Sequence, residues 1–149
     1  MTKSVLFVLN GPNLELLGER EPEIYGTTTL ADIEAMCRAE ADAAGLELRF
    51  HQTNAEPEMI GWLHEARTKA AAGIVINPAA FSYAGYATLD ALKMCDCPIV
   101  EVHISNIHAR DEAWRANSLM TAAATGMITG LGPHGYALAV RHIAKLLAS

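Results

Sequence analysis

Basic residues are scarce in this chain: 11 Lys and Arg stand against 17 Asp and Glu, a formal net charge of −6 at pH 7. A nucleic acid or an anionic membrane demands a basic surface that displaces counterions, so neither is expected as a partner and a small molecule is. Cysteine is sparse as well. Cys37, Cys95 and Cys97 cannot all pair internally, and no two-plus-two zinc spacing exists, which points to a reducing cytoplasm and to no metal. Cys95-Asp96-Cys97 reads as ordinary thiols ahead of a strand rather than as a metal pair. No long apolar run is present, which excludes a spanning helix. The stretch Met1 to Leu9 has one basic residue and a short apolar run leading into Asn10 and Gly11, so it reads as a first strand rather than a signal peptide. There is no glycine-rich dinucleotide fingerprint and no P-loop lysine. No repeat, low-complexity stretch or linker divides the 149 residues, and one domain over 1–149 is expected.

What remains is an apolar chain, 51% hydrophobic and 19% charged, in which apolar runs alternate with helical patterns from end to end. That alternation is the mark of repeated strand-helix units and a parallel sheet. Strands are expected at Val5 to Leu9, Leu46 to His51, Gly73 to Ile76, Ile99 to Ile104 and Met127 to Leu131. Leu30, Ile33, Met36 and Cys37 share one helical face, as do Met59, Ile60, Leu63 and Ala66, and Tyr136 to Leu147 has helical spacing too. Five strands with intervening helices predict an α/β, flavodoxin-like three-layer sandwich. Polar loops follow the first, third and fourth strands, at Asn10 to Gly26, Asn77 to Gly85 and Ser105 to Arg115. In such a sheet ligands sit at the carboxyl ends of the strands, so a site is expected there. The first loop is long and carries no obvious secondary structure, which suggests a lid.

Along the fourth strand, period-two alternation points Glu101 and His103 the same way. The pair reads either as a carboxylate that orients an imidazole for proton transfer or as a structural hydrogen bond. The first loop holds Arg20 and Tyr25 among Gly11, Pro12, Gly18, Pro22 and Gly26. A guanidinium beside a phenol favours tyrosinate, a base; a surface arginine and a turn tyrosine is the plain alternative. Asn13 can present an amide to a ligand. Thr27 to Thr29 cap the next helix, with Asp32 in its first turn. Phosphate-binding first loops are rich in Ser, Thr and Gly, whereas this one is rich in Asn, Leu, Glu and Pro, which argues against a nucleotide-binding module.

Taken together, Asn-Gly-Pro-Asn-Leu-x-Leu-Leu-Gly-x-Arg-Glu-Pro-x-x-Tyr-Gly from Asn10 and Glu-Val-His-Ile-Ser-Asn-Ile-His-Ala-Arg from Glu101 resemble the type II 3-dehydroquinate dehydratases. Gln52-x-Asn54-x-Glu56, Ile76-Asn77-Pro78 and Gly130-Leu-Gly132-x-x-Gly135-Tyr136 extend the resemblance over the whole chain. The resemblance implies dehydration of 3-dehydroquinate to 3-dehydroshikimate through an enolate, with no metal or organic cofactor. It implies Tyr25 as the base at C2, Arg20 lowering its pKa, and Asn13 holding a water at the enolate oxygen. His103 becomes the acid for the departing C1 hydroxyl, oriented by Glu101. Asn77, Ile104 and Ser105 are implied to hold the carboxylate, Arg115 to approach the ring hydroxyls, and Asp90 to serve a neighbouring subunit. A homododecamer built from trimers is implied as well, in a biosynthetic or a catabolic setting.

The departures cluster on one side of the implied site. The family usually reads Gly-x-x-x-His after Asn-Pro, where this chain has Ala79-Ala80-Phe81-Ser82-Tyr83, so Tyr83 takes the place of a histidine that bonds ring hydroxyls. Ala84-Gly85-Tyr86 and Leu89 also differ, Glu15 and Pro57 mildly so, and Asp111 to Arg115 is one residue longer than the usual stretch. The proton-transfer set is intact while hydroxyl recognition is altered. An elimination on a different cyclic hydroxy-keto acid, and a non-catalytic paralogue, are the competing readings.

Overall fold

The computed structural model describes residues 2–19 and 21–149, apart from the side chain of Tyr25. The chain begins with β1 (Val5–Asn10), a 3-10 turn at Leu14–Leu16, α1 (Pro22–Tyr25), α2 (Leu30–Ala43), β2 (Glu47–Gln52), α3 (Glu56–Thr68) and β3 (Gly73–Asn77). It continues through α4 (Phe81–Ala84), α5 (Tyr86–Lys93), β4 (Ile99–His103), 3-10 turns at Ile107–Ala109 and Leu119–Ala122 on either side of α6 (Ala113–Ala116), then β5 (Gly126–Thr129) and α7 (His134–Leu147). The strands form one five-stranded sheet in the order β2-β1-β3-β4-β5, every pairing parallel. This is the flavodoxin-like α/β sandwich expected from the sequence.

Parallel crossovers put helices over both sheet faces, so the central strands are buried on both sides and read as continuous apolar runs. On one face Leu6, Val8, Val75 and Val102 pack with Ile33 and Cys37 of α2 and Val140 and Ile143 of α7. On the other, Phe7, Leu9, Ile74 and Ile76 pack with Met59 and Leu63 of α3 and Leu92 of α5. Thr29 and Asp32 cap α2 reciprocally, at 3.0 and 3.1 Å.

Boundaries move where glycine or a carbonyl partner intervenes. β5 stops at Thr129 rather than Leu131 because Gly130, at φ 88°, turns the chain. β4 stops at His103 because Gly132 N–H takes the Ile104 carbonyl at 3.0 Å in place of a ladder partner. The first loop is not structureless: it holds the Leu14–Leu16 turn and α1. The segment from Asn77 to Gly85, expected as loop, contains α4. Gly85 separates α4 from α5, and a Cβ there would stand 2.8 Å from the Phe81 carbonyl oxygen. These short elements draw three polar segments over the carboxyl ends of β1, β3 and β4. Among the described residues no helix is long and apolar enough to cross a membrane.

Candidate active site

Glu101 and His103 occupy alternate positions of β4, and His103 Nε2 lies 2.5 Å from Glu101 Oε2. Thr121 Oγ1 donates to the other carboxylate oxygen at 2.7 Å. Glu101 is fully buried and His103 nearly so. Burial pushes the Glu101 carboxyl up, but hydrogen bonds from His103, Ser118 and Thr121 outweigh it and hold the group below its ordinary 4.5. An ionised carboxylate only accepts, so Nε2 carries the proton of that bond. Nδ1 is the nitrogen left to exchange a proton with a ligand.

Immediately beyond His103 the backbone changes from ladder to turn. The N–H groups of Ile104 and Ser105 donate to no protein acceptor among the described residues, while the His103 carbonyl accepts from Gly130 N–H at 3.1 Å. Gly130 is required here for two reasons, its positive φ and a would-be Cβ 2.9 Å from Asn106 Cβ. Two adjacent unpaired N–H groups at a strand end suit an anion.

Behind the carboxyl end of β3 lies a buried polar chain. The Tyr136 hydroxyl, on α7, donates to Asn10 Oδ1 at 2.7 Å and accepts from Asn77 Nδ2 at 2.8 Å. Asn10 Nδ2 in turn donates to the His51 carbonyl at 3.0 Å, and Asn77 Oδ1 accepts from Ala79 N–H at 3.3 Å. These bonds determine which way the Asn77 amide faces. Ala79 adopts a left-handed φ of 49° at that turn, unfavourable by about 1–2 kcal/mol for a residue with a Cβ. Tyr136→Phe would leave Asn10 Oδ1 without its donor and Asn77 Nδ2 without its acceptor. Each unmet buried group costs about 1–3 kcal/mol, so a loss of about 2–6 kcal/mol is expected in urea denaturation, with an unchanged m value.

His103, the turn after it and Asn77 border a cavity of about 140 Å³. Of the residues expected from the sequence, Asn13, Asn77, Tyr83, His103, Ile104, Ser105 and Arg115 line it. Glu101 stands behind His103. Asp90, exposed on α5, does not line this cavity. Arg20 and the side chain of Tyr25 lie outside the described residues. Asn13, at φ 69°, is pinned by its N–H on Asn54 Oδ1 at 2.9 Å, and Asn54 Nδ2 donates to Glu15 Oε2 at 2.7 Å. Tyr83 packs edge-on against Trp114, ring centroids 4.8 Å apart. The Arg115 guanidinium carbon sits 5.8 Å from the Trp114 ring centre and pairs with Glu112 at 3.6 Å. Its Nε is buried without a hydrogen-bond partner among the described residues.

Sequence reading missed several members of this site. Arg110 lines the cavity and donates to Ser105 Oγ at 3.1 Å, although it was legible only as the end of a motif. Thr121 carries no signal at all, since its contact with Glu101 spans 20 residues of chain. Leu14, Leu16 and Leu17 form an apolar wall that their place in a polar loop disguises. A second cavity, about 210 Å³, lies near the amino ends of β3 and β4, lined by Arg67, Asp96, Cys95 and Cys97 among others, away from the carboxyl ends of the strands. Among the described residues no cluster of His, Cys, Asp or Glu is suited to a metal.

A flavodoxin-like parallel sheet with a cavity over its carboxyl ends, walled by a histidine that a buried carboxylate orients, defines the class as an α/β fold of the enzyme type. The profile described as Dehydroquinase class II matches residues 4–144, and the chain belongs to that family. It is 57% identical to the protein named 3-dehydroquinate dehydratase 2 from Agrobacterium fabrum, over 97% of each chain. A protein named 3-dehydroquinate dehydratase from Methylobacterium radiotolerans is 54% identical over 99% of this chain and 97% of its own. The crystal structure of type II dehydroquinase from Propionibacterium acnes superposes with a TM-score of 0.90 at 47% identity, covering 97% of this chain and 98% of that one.

Proposed function

We propose that this protein is a hydro-lyase that dehydrates 3-dehydroquinate to 3-dehydroshikimate. The single observation that carries the reading is His103, held by Glu101, at the wall of a cavity also lined by Ile104 and Ser105, whose N–H groups have no acceptor among the described residues. An acid-base group and an anion corner within one small cavity suit a hydroxy acid, and the names of the close relatives favour this one.

In the proposed reaction Tyr25, as a tyrosinate that Arg20 favours, removes the C2 proton, and the electron pair moves onto the C3 oxygen as an enolate. A water held by Asn13 stabilises that oxygen. Collapse of the enolate expels the C1 hydroxyl, which leaves as water with a proton from His103. Glu101 keeps the imidazole oriented. Asn77, Ile104 and Ser105 hold the carboxylate; Arg115 and Tyr83 meet the ring hydroxyls. Asp90, exposed on α5 and outside its own chain's cavity, suits a residue that serves the site of a neighbouring copy, in a homododecamer of trimers. The proposed steps use side-chain and backbone groups of the chain and one water, with no metal or organic cofactor.

Incubation with 3-dehydroquinate tests the reading through absorbance of the conjugated enone product; no turnover by the pure protein would reject it. One observation supports a second reading, elimination on a related cyclic hydroxy-keto acid. Tyr83 stands on the cavity wall where the resemblance implies a histidine, and its hydroxyl has no hydrogen-bond partner among the described residues. Tyr83→His separates the two. If 3-dehydroquinate is the native substrate, kcat/KM is expected to stay level or fall up to about tenfold, because a fitted polar contact is worth about 1 kcal/mol. A sharp rise would favour the related acid.

A further inference from the structure

The anion corner at the end of β4 contains a cation. Arg110 lines the cavity, is half-buried, and forms no ion pair among the described residues. Arg115, the other arginine on this wall, already faces Glu112. Arg110 is carried there by the Ile107–Ala109 turn. Asn106 Oδ1 caps that turn by accepting from His108 N–H at 3.1 Å, and the Arg110 N–H closes on the Ile107 carbonyl at 3.2 Å. Gly130, just after β5, packs against Asn106, so the turn is braced from that side as well.

Arg110 Nη2 donates to Ser105 Oγ at 3.1 Å. A serine oxygen that accepts from a guanidinium has its own hydrogen left to donate elsewhere. The Ser105 hydroxyl, the Ser105 N–H and the Ile104 N–H then form three donors beside a positive charge. A carboxylate, with two oxygens and about four acceptor sites, is the complement of that set.

We propose that Arg110 is a positioning residue of the carboxylate subsite: it commits the Ser105 hydroxyl to donation and supplies the charge that offsets the bound acid. The inference rests on the reading of the substrate as a carboxylic acid, and deepens it by naming the group that distinguishes an acid from its neutral amide.

The test compares quinate with quinate carboxamide by titration calorimetry, on the wild type, Arg110→Gln and Arg110→Lys, alongside steady-state turnover of 3-dehydroquinate. The wild type is expected to prefer the acid. In Arg110→Gln, quinate affinity falls about tenfold to a hundredfold, as for loss of a charge-assisted hydrogen bond, while carboxamide affinity stays within about twofold. KM for 3-dehydroquinate rises correspondingly with kcat little changed, and Arg110→Lys recovers part of the loss. Unchanged quinate affinity in Arg110→Gln overturns the proposal. So does an equal loss for acid and amide, the result of a merely structural role, and so does a wild type without acid preference. Absent turnover with intact acid discrimination would reject the dehydration reading and leave the role of Arg110 standing.

Discussion

Replacing His103 by glutamine is expected to lower kcat on 3-dehydroquinate by about 100- to 10,000-fold, the range of a lost general acid. Glutamine is the informative choice because of what lies behind it. Glu101 is fully buried with His103 Nε2 on one oxygen and Thr121 on the other, so alanine at 103 would leave a buried carboxylate half-paired. Such a group costs several kcal/mol or takes up a proton, and either response would confound the kinetics. A glutamine amide can still donate to Glu101, yet it cannot deliver a proton to a departing hydroxyl. Stability should therefore hold in thermal melts while turnover collapses. Tyr25→Phe is expected to cost a similar factor by a different route, since phenylalanine has no ionisable oxygen to remove the C2 proton. Enone absorbance measures both. Wild-type kcat in His103→Gln would remove His103 as the acid, and retained turnover in Tyr25→Phe would remove Tyr25 as the base.

Gly11→Ala should have the largest effect on the scaffold. Gly11 follows β1, and its N–H donates to the Asn77 carbonyl at 2.9 Å, tying β1 to the end of β3. A Cβ at this position would stand 2.2 Å from the Pro78 carbonyl oxygen and 2.7 Å from its carbon. Both are backbone atoms, so no rotamer change relieves the clash and the strand ends must separate. Overpacking in well-ordered regions costs about 1–3 kcal/mol, and a backbone clash of this depth belongs at the upper limit or beyond. For a chain of this size about 3 kcal/mol corresponds to a fall in Tm of roughly 6–12 °C. Turnover should fall too, because Asn77 and Asn13 flank the displaced segment. Gly61 provides the contrast. It lies within α3, has no positive φ, and a Cβ added there would meet nothing within 4 Å, so Gly61→Ala should gain about 0.5–1 kcal/mol. A Gly11→Ala protein as stable as the wild type would show that the strand ends yield freely.

The Glu101–His103 pair and the switch-point crevice are one piece of architecture. β1 and β3 are neighbours while the chain passes through β2 between them, so the crossovers leave on opposite sides and a gap opens above their carboxyl ends. Asn77 closes the bottom of that gap and His103, one strand along, forms its side. The Asn10–Tyr136–Asn77 chain then anchors the gap to α7, which is why a residue far along the sequence bears on the orientation of a site amide.

By itself the sequence determined the alternation of strand and helix, the parallel sheet, the Glu101–His103 pairing and the family, because each is written in local periodicity or in the order of motifs. A period of two is enough to put residues 101 and 103 on one side of a strand. The packing of Ile33, Cys37, Met59 and Leu63 follows likewise from helical spacing. Tertiary structure alone decided the rest. Thr121 on Glu101, Tyr136 between two asparagines, Arg110 behind Ser105 and Trp114 against Tyr83 are contacts set by where turns end and how far side chains reach. Such contacts join groups by hydrogen bonds of about 3 Å, or in the Tyr83–Trp114 case by ring packing, between positions that no helical or strand period relates. The sequence therefore marks the strand that carries Glu101 and His103, and the fold selects which distant residues hold the pair in place.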